Sequence, residues 1–122
     1  MAAIHKTCYR EIPAYVTRDG SEIRELMHPG VHGNAKQSLA EAIVFPGEET
    51  LLHRHRVTEE LYHVTQGAGI MRLGEERFPV GVGDTVQIPP GTAHCIRATG
   101  DSPLHILCCC SPAYRHEDTE LL

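Results

Sequence analysis

The feature that most constrains the fold of this chain is its punctuation by glycine and proline. Turn signals fall at Asp19-Gly20, Pro29-Gly30, Pro46-Gly47, residues 67–69, Gly74, residues 81–84, residues 89–91 and residues 100–103. Glycine takes up backbone conformations that other residues avoid, and proline cannot continue a helix, so each marks a place where regular structure stops. The stretches between them are too short for long helices. Short segments at this rhythm predict an all-β sandwich or barrel. The predicted strands are residues 38–45, 50–55, 60–66, 69–73, 76–80, 85–88, 94–98 and 104–109, whose Val, Ile, Leu, Thr and Tyr suit an extended, half-buried ribbon. Residues 21–27 allow two readings, a strand after the Asp19-Gly20 turn or one helical turn capped by Ser21; the strand is preferred.

A chain of 122 residues suits one domain. Tryptophan is absent and Phe45 and Phe78 are the only phenylalanines, so the core must be mostly aliphatic. A formal net charge of −5, with no basic stripe, argues against a nucleic-acid or anionic-membrane surface. No apolar run approaches the roughly 20 residues of a membrane helix. The first ten residues lack the apolar stretch of a signal peptide, and the simplest reading is a cytoplasmic protein. The five cysteines fit that reading. Cys108, Cys109 and Cys110 are consecutive and would alternate between faces of a strand, which rules out an ordinary disulfide ladder. With no Cys-x-x-Cys spacing, Cys95 and residues 108–110 are read as small buried hydrophobes.

The chemistry centres on His53-Arg54-His55. Residues two apart on a strand share a face, so both imidazoles point one way and Arg54 the other. The nearby Leu51 and Phe45 suggest that this part of the chain runs close to a core. Two histidines on one face begin a site for a divalent metal, since neutral imidazole suits Zn, Fe, Ni and Cu, but alone they are more readily two ordinary surface or core histidines. Glu60 and His94 change the balance. Glu60 opens the next extended stretch and can return to the same mouth; His94 follows the turn at residues 89–91 and starts another strand. Three imidazoles and a carboxylate leave one or two positions open on a metal that takes about five or six ligands, as a catalytic or substrate-binding site requires.

At these residues the sequence resembles the cupin superfamily. Its first motif reads here as Gly47, five residues, His53-Arg54-His55, four residues, Glu60, six residues, Gly67. Its second reads as Gly83, five residues, Pro89-Pro90-Gly91, two residues, His94, three residues, Ala98, where Ala98 stands in place of the family's Asn. The resemblance implies a double-stranded β-helix, or jelly-roll barrel, with a metal in its mouth. It assigns His53, His55, Glu60 and His94 as ligands of one divalent transition metal, Fe, Mn, Ni, Zn, Co or Cu. Glu59 is the competing carboxylate; Glu60 is preferred for its six-residue spacing to Gly67 and because it shares a face with Tyr62. Gly67, Gly83 and Gly91 are expected at tight turns that need positive φ or close backbone approach. Tyr62 and Gln66, in phase with Glu60, and Gln87 are candidates to line the site behind the ligands. His63 should point away, His5, His28, His32 and His116 should lie at the surface or an interface, and His105 could face either way.

Two functions follow. One is a metal-dependent enzyme acting on a small polar organic molecule, of dioxygenase, isomerase or lyase type. The other is a metal-anchored module that binds a small molecule or sugar without changing it. Family resemblance also implies a homodimer, with residues 1–36 as an N-terminal extension carrying dimer-forming strands. Residues 37–110 form the barrel, and residues 111–122 form a tail that packs on the barrel or on a neighbouring subunit.

Overall fold

The computed structural model describes residues 5–122. The first four residues of the expected N-terminal extension lie outside that range. In chain order the strands are β1 (Tyr15–Val16), β2 (Glu22–Met27), β3 (Ser38–Val44), β4 (His53–His55), β5 (Glu59–Gln66), β6 (Ala68–Leu73), β7 (Glu76–Gly81), β8 (Thr85–Ile88), β9 (His94–Thr99), β10 (Leu104–Ser111) and β11 (Thr119–Leu121). They form two antiparallel sheets, one ordered β1-β2-β3-β10-β5-β8 and the other β11-β4-β9-β6-β7. The only α-helix among the described residues is a single turn, Pro29–His32, in which the Gly30 amide donates to the His28 side chain. The all-β expectation holds because the turns fall where glycine and proline interrupt the chain. Among the described residues, no helix is long and apolar enough to cross a membrane.

Segment 21–27 is a strand, β2, paired along β3. The predicted strand over residues 50–55 is shorter than expected, since only His53–His55 is regular. Thr50 accounts for this. Its hydroxyl accepts the Ile96 amide at 3.0 Å, and its own amide donates to the Ile96 carbonyl at 2.9 Å. Residues 49–50 are thus tied to β9 by local contacts rather than by a continuous ladder. Phe45 and Leu51, read in the sequence as signs of a nearby core, are 44% and 53% exposed. Phe45 follows the buried Val44 and, by alternation, faces outward.

The inward residues of the six-stranded sheet grade from apolar to polar along the barrel. On β10 they run Leu104, Ile106, Cys108, Cys110. Across the ladder, Ile106 faces Val64, Cys108 faces Tyr62 and Cys110 faces Glu60. On the other side the partners are Val44, Ala42, Ala40 and Ser38. Towards the Leu104 end, large aliphatic side chains close the barrel together with Val80, Met71 and Ile96. At the Cys110 end, Ser, Ala and Cys leave space that larger residues would fill, and a cavity opens there.

The connection from β5 to β6 depends on Gly67. Its φ is +80°, and a Cβ there would lie 2.5 Å from the Pro103 carbonyl oxygen. Both the conformation and the approach demand glycine. Gly83 and Gly91 also take positive φ, at +92° and +78°. Gly67→Ala is expected to destabilise the protein by about 2 kcal/mol or more, because backbone has to move. An unchanged chemical-denaturation midpoint would refute this reading of the turn.

Candidate functional site

The two sheets converge on the cavity at its polar end. His53 and His55 project from β4, which lies between β9 and β11, with His53 directly opposite His94. Glu60 comes from β5 in the other sheet, so the cluster joins the two halves of the barrel. All four residues are buried, from 0% exposure at His94 to 5% at Glu60. One ligand atom from each of His53, His55 and His94 lies within 4.8 Å of the others. The Glu60 Oε1 is 3.1 Å from His55 Nε2 and 3.7 Å from His94 Nε2.

The surroundings of each ring fix which nitrogen carries the proton. His53 Nδ1 lies 2.8 Å from the Leu51 carbonyl, and His94 Nδ1 lies 3.0 Å from the Thr92 carbonyl. A carbonyl only accepts, so both Nδ1 atoms must be protonated. His55 Nδ1 is 3.1 Å from the Thr119 hydroxyl, which itself donates to the Arg115 carbonyl at 3.1 Å. That hydroxyl has spent its proton, so His55 Nδ1 is also a donor. In the neutral rings all three Nε2 atoms are therefore bare lone pairs. They face one another and a carboxylate. His94 Nε2 and Glu60 Oε1 are buried without any hydrogen-bond partner. Acceptors facing acceptors in a buried site are costly, and a bound cation relieves that cost. The donor set fits a divalent transition metal on these grounds.

Electrostatics agree. Burial, and after it the neighbouring His94, pull the His53 pKa below its usual 6.5, which favours the neutral ring a metal needs. Burial pushes the Glu60 carboxyl up, whereas positive charge on the His55 and His94 side lowers its pKa to about 2, so a cation in the cluster favours the carboxylate. Its other oxygen accepts the Cys110 thiol at 3.4 Å. Burial raises the Cys110 pKa, followed by the Glu60 charge, and keeps that thiol a donor.

The structure places the sequence candidates unevenly. Glu60 points into the cluster, whereas Glu59 is exposed on the opposite face. Tyr62 lines the cavity, with its ring edge-on to His94 at 6.0 Å between centroids. Gln66 and Gln87 do not line it. Gln66 sits exposed where the β5–β10 register shifts near His105, so strict alternation from Glu60 no longer applies. Gln87 pairs across from the outward Leu61 and donates to Glu59 at 3.0 Å. His63 turns away onto Thr85, and His105 lies 3.5 Å from Glu41 on the outer face. Of the cysteines, Cys108 and Cys110 line the cavity; Cys95 and Cys109 do not.

Several residues of the cavity went unread in the sequence. Asp19 is buried, with Oδ1 accepting from the Ser21 amide and hydroxyl at 2.9 and 2.7 Å and Oδ2 3.7 Å from His53 Nε2. In sequence, Asp19-Gly20 looks like turn chemistry and nothing more. Tyr15, Glu25, Tyr114 and Thr119 also line the cavity, brought there by β1, β2, the C-terminal segment and β11. The C-terminal segment is fastened by Asp118, whose carboxylate accepts the Val57 and Thr58 amides at 2.9 and 3.0 Å. Burial pushes the Asp118 pKa up, but those amides outweigh it and lower it. Thr119→Val keeps the shape of the side chain but removes the acceptor that orients His55. It is expected to weaken metal affinity by about 10–100-fold, measured by competition with a chelator. Equal affinity would show that Thr119 does not orient the ring.

Comparison with known proteins follows the same residues. The family profile described as Cupin domain matches residues 40–110. This chain is a cupin. An uncharacterized protein of Methanocaldococcus jannaschii, MJ1618, is 55% identical over 119 residues, spanning 98% of this chain and 95% of that one. Among solved structures, Streptomyces Pac13, a nucleoside dehydratase, superposes with a TM-score of 0.81 at 17% identity, covering 98% of this chain and 92% of Pac13. A predicted oxalate decarboxylase of Thermotoga maritima superposes with a TM-score of 0.76 at 22% identity, covering 90% of this chain and 99% of that one. At these identities the two superpositions show a shared fold. As a small single-domain cupin, the chain carries a three-histidine cluster able to hold a metal at the polar end of its barrel.

Proposed function

We propose that this cupin is a metal-dependent enzyme acting on a small polar organic molecule, with one divalent transition metal held by His53, His55, Glu60 and His94. The observation that carries the reading is the convergence of three Nε2 lone pairs and an unpartnered carboxylate oxygen, each ring fixed from behind by an acceptor at Nδ1. A bound metal would supply Lewis acidity, polarising an oxygen of the substrate. The chain's own residues provide the rest. Cys110 holds the second Glu60 oxygen, so the carboxylate keeps its orientation. Tyr62, whose hydroxyl stays protonated because burial and the Glu60 charge raise its pKa, offers a wall beside His94. Ala40, Ala42 and Ile23 give the chamber an apolar lining that limits water. The dehydratase and decarboxylase character of the structural neighbours supports chemistry on small molecules in such a barrel.

Elemental analysis of protein purified without chelator tests the site. About one metal per chain is expected, and none in His53→Ala/His55→Ala. Iron would direct assays to O₂ consumption, and zinc, manganese or nickel to isomerase and lyase chemistry. No metal in either protein after reloading would overturn the proposal. Recovery of every bound ligand unchanged after long incubation would instead favour a binding module.

A further inference from the structure

The walls of the cavity carry a charge bias that neither the metal cluster nor the fold requires. Three carboxylates line it, Asp19, Glu25 and Glu60, and no lysine or arginine does. Glu60 belongs to the histidine cluster. Glu25 does not, yet it faces the cavity from β2 by plain alternation with Ser21 and Ile23, just before the register shift between Glu25 and Met27. One Glu25 oxygen accepts the Tyr15 hydroxyl at 2.9 Å. The other, Oε2, is buried with no hydrogen-bond partner. Nearby, the Tyr114 hydroxyl lies 3.0 Å from Thr17 Oγ1 and 3.0 Å from His116 Nδ1. Asp19 adds a second carboxylate on the same stretch of chain, its Oδ1 already satisfied by Ser21.

A buried acceptor without a donor is unfavourable unless a ligand supplies one. A carboxylate wall without basic residues also repels anions, because like charges brought together in a poorly solvated site cost several kcal/mol. We infer that the substrate of this site presents hydroxyl or ammonium groups to the wall formed by Glu25 and Asp19, while its metal-binding oxygen faces the histidines, and that substrates with a second anionic group are rejected. This deepens the proposed function and rests on the metal being present. The inference separates this chain from a preference for dicarboxylates. It selects hydroxylated or amino-bearing compounds, such as polyols, hydroxy acids and amino alcohols.

The test uses three probes with the same 2-hydroxy acid head and different tails, applied to protein whose metal content has been confirmed. These are 2,4-dihydroxybutyrate, 4-amino-2-hydroxybutyrate and malate. Affinity is read by calorimetry and by the rise in Tm. The hydroxyl and ammonium tails are expected to bind at least about tenfold more tightly than the carboxylate tail. Glu25→Gln, which keeps the size of the side chain, is expected to shrink that gap, and Asp19→Asn/Glu25→Gln to shrink it further. Circular dichroism and metal content of the variants verify that fold and site persist. Malate binding equally well or better would overturn the inference, as would failure of both donor-tailed probes to bind the loaded protein, or a gap unchanged in the double variant. Failure to load metal at all would count against the proposed function instead, so the two outcomes stay distinct.

Discussion

Taking the metal-loaded protein from about pH 7 to about pH 5 is expected to release its metal. Each imidazole binds through an Nε2 lone pair, and a proton competes for that position. Below the pKa of a ligand histidine, the apparent affinity falls by up to about tenfold per pH unit for each ring involved, so three rings together give up to about a thousandfold. His53 resists that proton, since burial and then His94 hold its pKa below 6.5. The sign for the metal-free fold is the same. The unfolded chain protonates His53 near 6.5 while the native chain resists, so this contribution is complete above that value and is lost as the pH falls below it. Glu60 acts lower: its contribution is present above its ordinary value of 4.5 and is lost as the pH falls from there to about 2. Dialysis across this range with metal analysis of the retentate checks the first statement, and Tm against pH of the apo-protein checks the second. Full metal retention at about pH 5 would mean that the imidazoles are not the ligands.

Met71→Ala should cost about 2–5 kcal/mol of stability and lower Tm on the order of 10 °C. Met71 is fully buried, at 0% exposure, on β6 between β9 and β7 of the five-stranded sheet. Its neighbours across the ladders are Phe78 on β7 and Ile96 on β9. These strands are held in register by their own hydrogen bonds and cannot collapse into the space left behind, so the cavity persists and its cost is added to the lost transfer energy. Its partner Ile96 lies two residues along β9 from His94, but Met71 contributes no atom to the histidine cluster, so metal stoichiometry should be unchanged in this variant. Denaturation with guanidinium, followed beside elemental analysis, reads both quantities. A loss below about 1 kcal/mol would show that the closed end of the barrel repacks.

The closed end was legible because its signals are local. Glycine and proline mark where strands stop, and alternation along residues 104–110 states which side chains face inward once a strand is assumed. The same alternation brought His53 and His55 to one face, and Glu60 to the cavity in place of Glu59. It failed at Gln66, because a register shift beside His105 breaks the period. It failed at Gln87 because the sequence contains nothing that sets the phase of a four-residue strand. Phe45 and Leu51 misled for a related reason: an apolar side chain beside buried histidines need not itself be buried, and both are exposed.

By itself, the sequence determined the strand rhythm, the faces of the histidine strand and the order of the two motifs, all properties of residues close together in the chain. Tertiary structure decided what surrounds them. Asp19 and Glu25 come from the N-terminal side, while Tyr114 and Thr119 come from the C-terminal side. They share a cavity only because β2 pairs along β3 and β11 pairs along β4. The bond between Thr17 and Tyr114 spans 97 positions, and that between His55 and Thr119 spans 64. No local period encodes such contacts. They arise from the pairing of distant strands and their packing on a shared core, and they set the proton position on His55 and the charge of the chamber the histidines face, whereas the His53 and His94 protons are set by carbonyls two residues away.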